Sequence, residues 1–174
     1  MAATVYTVGH STHPIAEFLA ILRAYGIETL ADVRTIPRSR HNPQFAQDGL
    51  PASLREEGIV YRRIDDLGGL RHTRKDSVNT GWRNTSFRGY ADYMQTEGFA
   101  RGVAELEAIA AESVTAIMCA EAVPWRCHRS MIGDALLVRG HCVLDIYSAT
   151  QAKPERLTSF ASVDGTTITY PPEQ

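Results

Sequence analysis

No run of about 18 apolar residues occurs anywhere in this chain, so nothing in it reads as a transmembrane helix. The opening stretch MAATVYTVGHS has neither a basic segment nor an apolar core, and a secretory leader is not expected. Cysteine is scarce and odd in number, three residues, which argues against a disulfide framework. A cytoplasmic, reduced setting is the expectation. Internal repeats and low-complexity segments are missing too. Lysine is nearly absent, two residues against sixteen arginines. A GC-rich genome accounts for most of that ratio, but not for how the charge is placed. The segment 34–88 carries a net charge of +5 within a chain whose total is −2. Arginine forks suit carboxylates and phosphates, so an anionic ligand is expected and nucleic acid is a further possible partner.

The hydrophobic content of 44% over 174 residues is enough for one domain with a sizeable core. The pattern within it is strand–loop–helix, repeated. Val5–Val8 reads as a first strand ending at Gly9-His10-Ser11. Pro14 opens a helix with Ile15, Phe18, Leu19 and Leu22 on one face, and Gly26 stops it. Thr29–Val33 reads as a second strand and Ile59–Ile64 as a third. Between them Leu50 and Leu54 suggest a short helix, broken by Pro51 and stopped at Gly58. The stretch Leu70–Phe87 is polar, basic and aperiodic, which predicts a long loop anchored by Trp82. Helices are expected over Gly89–Thr96 and Glu97–Ser113, broken near Gly98. After Tyr147 the pattern suggests a short helix over Ala152–Phe160 and a late edge strand over Thr166–Tyr170.

The stretch 114–147 carries the chemistry. Val114–Met118 is apolar and partly β-branched, as a strand covered on both faces should be. Met131, Ile132, Ala135, Leu136 and Val138 then recur at helical spacing before Gly140. Cys142, Val143, Leu144 and Ile146 form another apolar run, with Cys142 expected in the core. A strand–helix–strand unit of this length is a right-handed crossover between parallel strands. Its first loop holds Cys119, Glu121, Arg126, Cys127, His128 and Arg129 within eleven positions. That loop falls at the carboxyl edge of the sheet, where ligands bind in such folds, and it leads into a helix N-terminus.

Three readings of this loop follow from the residues. In the first, Cys119 is a nucleophile, its thiol acidified by nearby arginines and the helix start. His10, His128 or Glu121 then serves as acid or base, and Arg34, Arg38, Arg126 and Arg129 hold an anion, either nucleotide-like or phosphate-bearing. The anion loops of phosphatases and rhodaneses place an arginine where Trp125 stands here, so that pattern is not met. In the second, Cys119, Cys127, His128 and His10 are ligands to a metal or haem, although adjacent Cys127 and His128 are poorly placed to share one ion. In the third, these side chains are structural, with Asp32 bridged to Arg34 or Arg38 and Cys127 packed as a small apolar group. A noncatalytic module that binds nucleotides or nucleic acid through the 34–88 segment stands beside all three.

Four segments, TVGHST, DVRTIPRSRHNPQF, GYADYM and CAEAVPWRCHRSMI, resemble domain-of-unknown-function family 488 (DUF488). The likeness covers about Val5 to Tyr147. It implies a small α/β domain and no established activity. It also implies that His10, Asp32, Arg34, Arg38, Cys119, Glu121, Cys127, His128 and Arg129 stand at motif positions, without giving any of them a role. The expected architecture is a single three-layer, Rossmann-like α/β domain over 1–174. Its mainly parallel sheet is flanked by helices, with a motif-bearing core at 5–147 and a tail at 148–174. Oligomeric state is not readable from these residues.

Overall fold

The computed structural model describes residues 2–37 and 40–172. Arg38, one of the expected anion ligands, lies outside them. Five parallel strands make the centre: β1 (Thr4–Gly9), β2 (Thr29–Asp32), β3 (Val60–Arg63), β4 (Thr115–Cys119) and β5 (Cys142–Ser148). Their order is β3-β2-β4-β1-β5, and β6 (Gln151–Pro154) closes one side antiparallel to β5. Both expected crossover units are present, yet neither joins neighbouring strands. β4 lies between β1 and β2, and β1 lies between β4 and β5. This interleaving brings the loops after β1, β2 and β4 together at one edge.

Five helices cover the sheet, and strand alternation decides which face each one meets. On one face, α1 (Ile15–Ala24) and α2 (Leu50–Glu56) bury Phe18, Leu22, Leu50 and Leu54 against Val8, Leu30, Ala116 and Met118. On the other, α3 (Thr85–Tyr93), α4 (Glu97–Glu112) and α5 (Arg129–Val138) pack Tyr90, Leu106, Met131 and Leu136 against Val5, Ala31, Ile117 and Val143. The result is the expected three-layer α/β fold. No helix among the described residues is long and apolar enough to cross a membrane.

Several local expectations change. Pro51 does not interrupt α2; it occupies the first turn, where its missing N–H costs nothing. α3 begins at Thr85 because Asn84 caps it, its side chain accepting from the Ser86 and Phe87 amides. The break before α4 falls at residues 94–96 and not at Gly98, since Thr96 caps the new helix by accepting from Phe99 N. The segment expected as a helix over Ala152–Phe160 instead starts as strand β6. The edge of the sheet offers β6 partners, and Pro154 is tolerated there for lack of a further neighbour. Cys142 is exposed and not core, because it is the first residue of β5 and the alternation turns Val143 inward instead. The late strand exists as β8 (Thr167–Thr169), paired with β7 (Ser162–Asp164) in a separate ribbon.

The long basic loop is held from inside. Trp82 packs its ring against Phe87, Phe160 and Tyr170, as an anchor should. Buried Asn79 donates to Asp92 at 2.7 Å and accepts from the Tyr170 amide at 2.8 Å. Asp92 also accepts from Ser77 Oγ and from the Arg74 amide. One buried amide thus joins the loop, α3 and the C-terminal segment. Asn79→Ala should cost about 2–3 kcal/mol in urea unfolding, because it strands two buried polar groups. A change below about 0.5 kcal/mol would show that this link does not hold the loop.

Candidate active site

β1 and β4 end in register, Gly9 beside Cys119, and the chain keeps pairing for two residues more. His10 N donates to Cys119 O at 2.9 Å, and Ser11 N donates to Ala120 O at 3.0 Å. Gly9 is required here by close approach: a Cβ on it would lie 1.6 Å from Glu121 O. The loop after Cys119 therefore rests directly on the main chain of β1. Beyond it, a short helical turn over Pro124–Arg126 leads through Cys127 and His128 into α5.

A pocket of about 340 Å³ opens at this edge. Cys119, Glu121, Arg126, Cys127 and His128 line it from the β4 loop, Arg34 from the β2 loop, and Tyr90 and Phe87 from α3. Five of the six candidates in the β4 loop thus share one cavity with Arg34. Arg129 is not among the lining residues. It is fully buried, donates to Ala122 O at 3.3 Å, and has two further buried nitrogens without a partner. His10 is not among them either. By strand alternation it falls on the opposite face, where its ring stacks on Phe45 at 4.3 Å. Burial lowers its pKa, and its Nε2 is buried without a partner.

Arg34 is fixed by a buried carboxylate. Its Nε and Nη2 donate to Asp32 at 2.9 and 2.8 Å, and its backbone amide donates to the same group. The Tyr61 hydroxyl also donates to Asp32, and the Arg63 guanidinium donates to Arg34 O. The expected Asp32–Arg34 bridge is therefore real, but it does not use the whole guanidinium. Nη1 is buried and has no partner among the described residues, although Arg34 lines the pocket and is only 3% exposed.

Both thiols line the pocket, each acts on the ionisation of the other, and their acidities diverge. Burial opposes ionisation of Cys119, but a hydrogen bond from Cys127 and the charge of Arg129 outweigh it, and its pKa is lowered. Burial and the neighbouring Cys119 push the Cys127 thiol well up. Cys119 is thus the more acidic thiol of the pair, its Sγ also 3.6 Å from Glu121 O, and Cys127 the less acidic one. His128 Nε2 lies 2.7 Å from Val33 O, so Nε2 carries the proton and Nδ1 is the acceptor, 3.6 Å from Cys127 Sγ. Burial lowers the His128 pKa to about 4, so the ring is neutral at pH 7.

Sequence reasoning missed Tyr90, Phe87 and Leu70 as pocket walls. Their helix and loop positions gave no sign that they meet at this edge. Among the described residues, no three His, Cys, Asp or Glu side chains converge as a metal-binding group. The donors considered for a metal or haem are split between the two faces of the sheet. The arginines of the basic loop are largely used internally. Arg71 lies 3.6 Å above the Tyr93 ring, Arg74 pairs with Asp76, and Arg88 donates to Trp82 O.

A parallel α/β sheet with a thiol–arginine pocket at its carboxyl edge is the class of protein defined here. The sequence matches the family described as Domain of unknown function DUF488 over residues 14–136, and the chain belongs to that family. No curated protein and no solved structure matches it. β1 and His10 precede the matched span, whereas the lining residues named above fall inside it.

The histidine gives the site a pH signature. An unfolded histidine titrates near 6.5, while native His128 stays neutral down to about 4. Between those values the unfolded chain binds the extra proton, so stability falls as pH drops from 6.5 towards 4. Over that range wild type should lose about 2–3 kcal/mol more than His128→Gln in urea unfolding. Parallel pH profiles for the two proteins would show that His128 is not held neutral.

Proposed function

We propose that the chain is an enzyme that acts on an anionic small molecule, with Cys119 as the attacking thiolate. The observation that supports this reading is the guanidinium of Arg34, whose Nη1 is buried without a partner among the described residues, in a residue that borders the same pocket as Cys119. A buried guanidinium nitrogen without an acceptor is costly, and an anion in the pocket satisfies it. Arg126, exposed on the rim, adds a second positive charge that draws the same ligand inward. Arg129 acts from beneath the loop, where its charge favours the Cys119 thiolate. His128 is neutral, and its Nδ1 is the proton acceptor beside Cys127. Glu121 lines the pocket from the exposed side and is the second acid–base candidate. The arginines suit carboxylate and phosphate alike, so a nucleotide is one member of the class and not its definition.

Alkylation tests this without a known substrate. Iodoacetate is an anion and iodoacetamide is its neutral counterpart, while exposed Cys142 serves as an internal reference. At neutral pH, Cys119 should be carboxymethylated faster than Cys142. Arg126→Gln should reduce the iodoacetate rate roughly three- to tenfold and leave the iodoacetamide rate nearly unchanged. Added salt should erode the same advantage. Equal effects on both reagents would remove the anion from the reading, and labelling confined to Cys142 would remove the thiolate.

A further inference from the structure

Cys127 has no task in attack at carbon or phosphorus. A thiolate that takes up an acyl or phosphoryl group is released by water and a base, and a second thiol adds nothing to that step. Here the second thiol lines the same pocket as the first and acts on its ionisation, with the Nδ1 of a neutral imidazole 3.6 Å from its sulfur. A thiol pair with a base beside the second member has a use when the first sulfur carries another sulfur. We propose that Cys119 and Cys127 are a nucleophile–resolver pair that reduces a small anionic disulfide and closes to a Cys119–Cys127 disulfide. This rests on the reading of Cys119 as the thiolate of an anion-binding pocket, and it names the class of bond attacked.

The chemistry balances as two exchanges. The Cys119 thiolate attacks one sulfur of the bound disulfide. That S–S bond breaks, and one half leaves as a thiolate with the electron pair, taking a proton from solvent. The other half stays on Cys119 as a mixed disulfide, its anionic group held by the charges of Arg34 and Arg126 on the same pocket. Cys127 then passes its proton to His128 Nδ1 and attacks the Cys119 sulfur. The second half leaves as a thiolate and collects that proton. The small disulfide has gained two electrons and become two thiols, and the protein has lost them. A dithiol reductant restores the starting pair by the same exchange. The disulfide forms when the two protein sulfurs close to about 2.05 Å. Their unequal acidities suit the order of events, since the more acidic sulfur attacks first and the protonated one waits.

The test uses the reduced full-length chain and oxidised glutathione, a disulfide whose halves bear carboxylates, with cystamine as the cationic control. Products are read by acid quench, intact mass and peptide mapping. Wild type should release two glutathione thiols per chain, lose two hydrogens and map to a Cys119–Cys127 bond. Cys127→Ser keeps a hydroxyl beside Cys119 but has no resolving sulfur, and it should hold one glutathione on Cys119. Reaction at Cys119 should exceed that at Cys142 by at least ~10-fold at pH 7, and Arg126→Gln should slow oxidised glutathione but not cystamine. A stable mixed disulfide on Cys119 in both wild type and Cys127→Ser would overturn the resolver. So would a Cys119 that reacts with iodoacetate and ignores oxidised glutathione, and the anion-binding thiolate would survive either result. A Cys119 inert to both reagents would overturn the inference and the function beneath it together.

Discussion

The buried pair of Asp32 and Arg34 is the interaction on which the rest of the site depends. A carboxylate at the end of a central strand, with no exposure at all, is tolerable only with a full set of donors. It receives them from Arg34, Tyr61 and the Arg34 amide. Geometry does the rest. A guanidinium gripped through Nε and Nη2 has one nitrogen pair committed, and the remaining Nη1 is aimed by the same planar fork. The ion pair therefore holds the Arg34 guanidinium in one orientation, in a residue that borders the pocket.

The sheet order explains why this ion pair meets a thiol. β4 is inserted between β1 and β2, so the strand that ends in Cys119 runs beside both the strand that ends in Gly9 and the one that ends in Asp32. His128 crosses the gap from the start of α5 and bonds Val33 O just past β2. That single contact ties the two loops and leaves the ring with one donor and one acceptor in known places. Cys119 alternates with Ile117 on the face of the sheet that carries α3, α4 and α5. Asp32 alternates with Leu30 on the face of α1 and α2, where Tyr61 bonds it and where His10 stacks on Phe45 within the field of Asp32 and Arg34.

The fold was largely legible in the chain because its signals are local. Apolar strands, helical stripes and stops at Gly26, Gly58 and Gly140 set the element order without tertiary information. Errors clustered where a neighbour decides. Residues 152–160 have no pattern that reveals the free edge of β5, and Cys142 has an apolar environment in sequence but not in space. The loop at Cys119 was legible as a cluster of reactive side chains. Its division into lining residues and buried support was not, since strand parity at His10 and the depth of Arg129 depend on how β1 and α5 seat. The contact between Cys119 and Cys127, eight positions apart, exists only because the turn at Pro124–Arg126 folds the loop back on itself.

Gly9 has a consequence for how such a site can change. Where the loop after Cys119 presses on β1, the contact is main chain against main chain, with no side chain between to be exchanged. The floor that sets the height of the Cys119 sulfur is thus nearly independent of sequence, apart from the single position that must lack a Cβ. The side chains open to exchange are those of the rim, where Ile36, Leu70, Phe87 and Arg126 stand on four separate segments. Ligand preference and reactive-group position are therefore separable properties in this architecture. The first can drift by exchanging rim side chains while the second stays fixed by backbone.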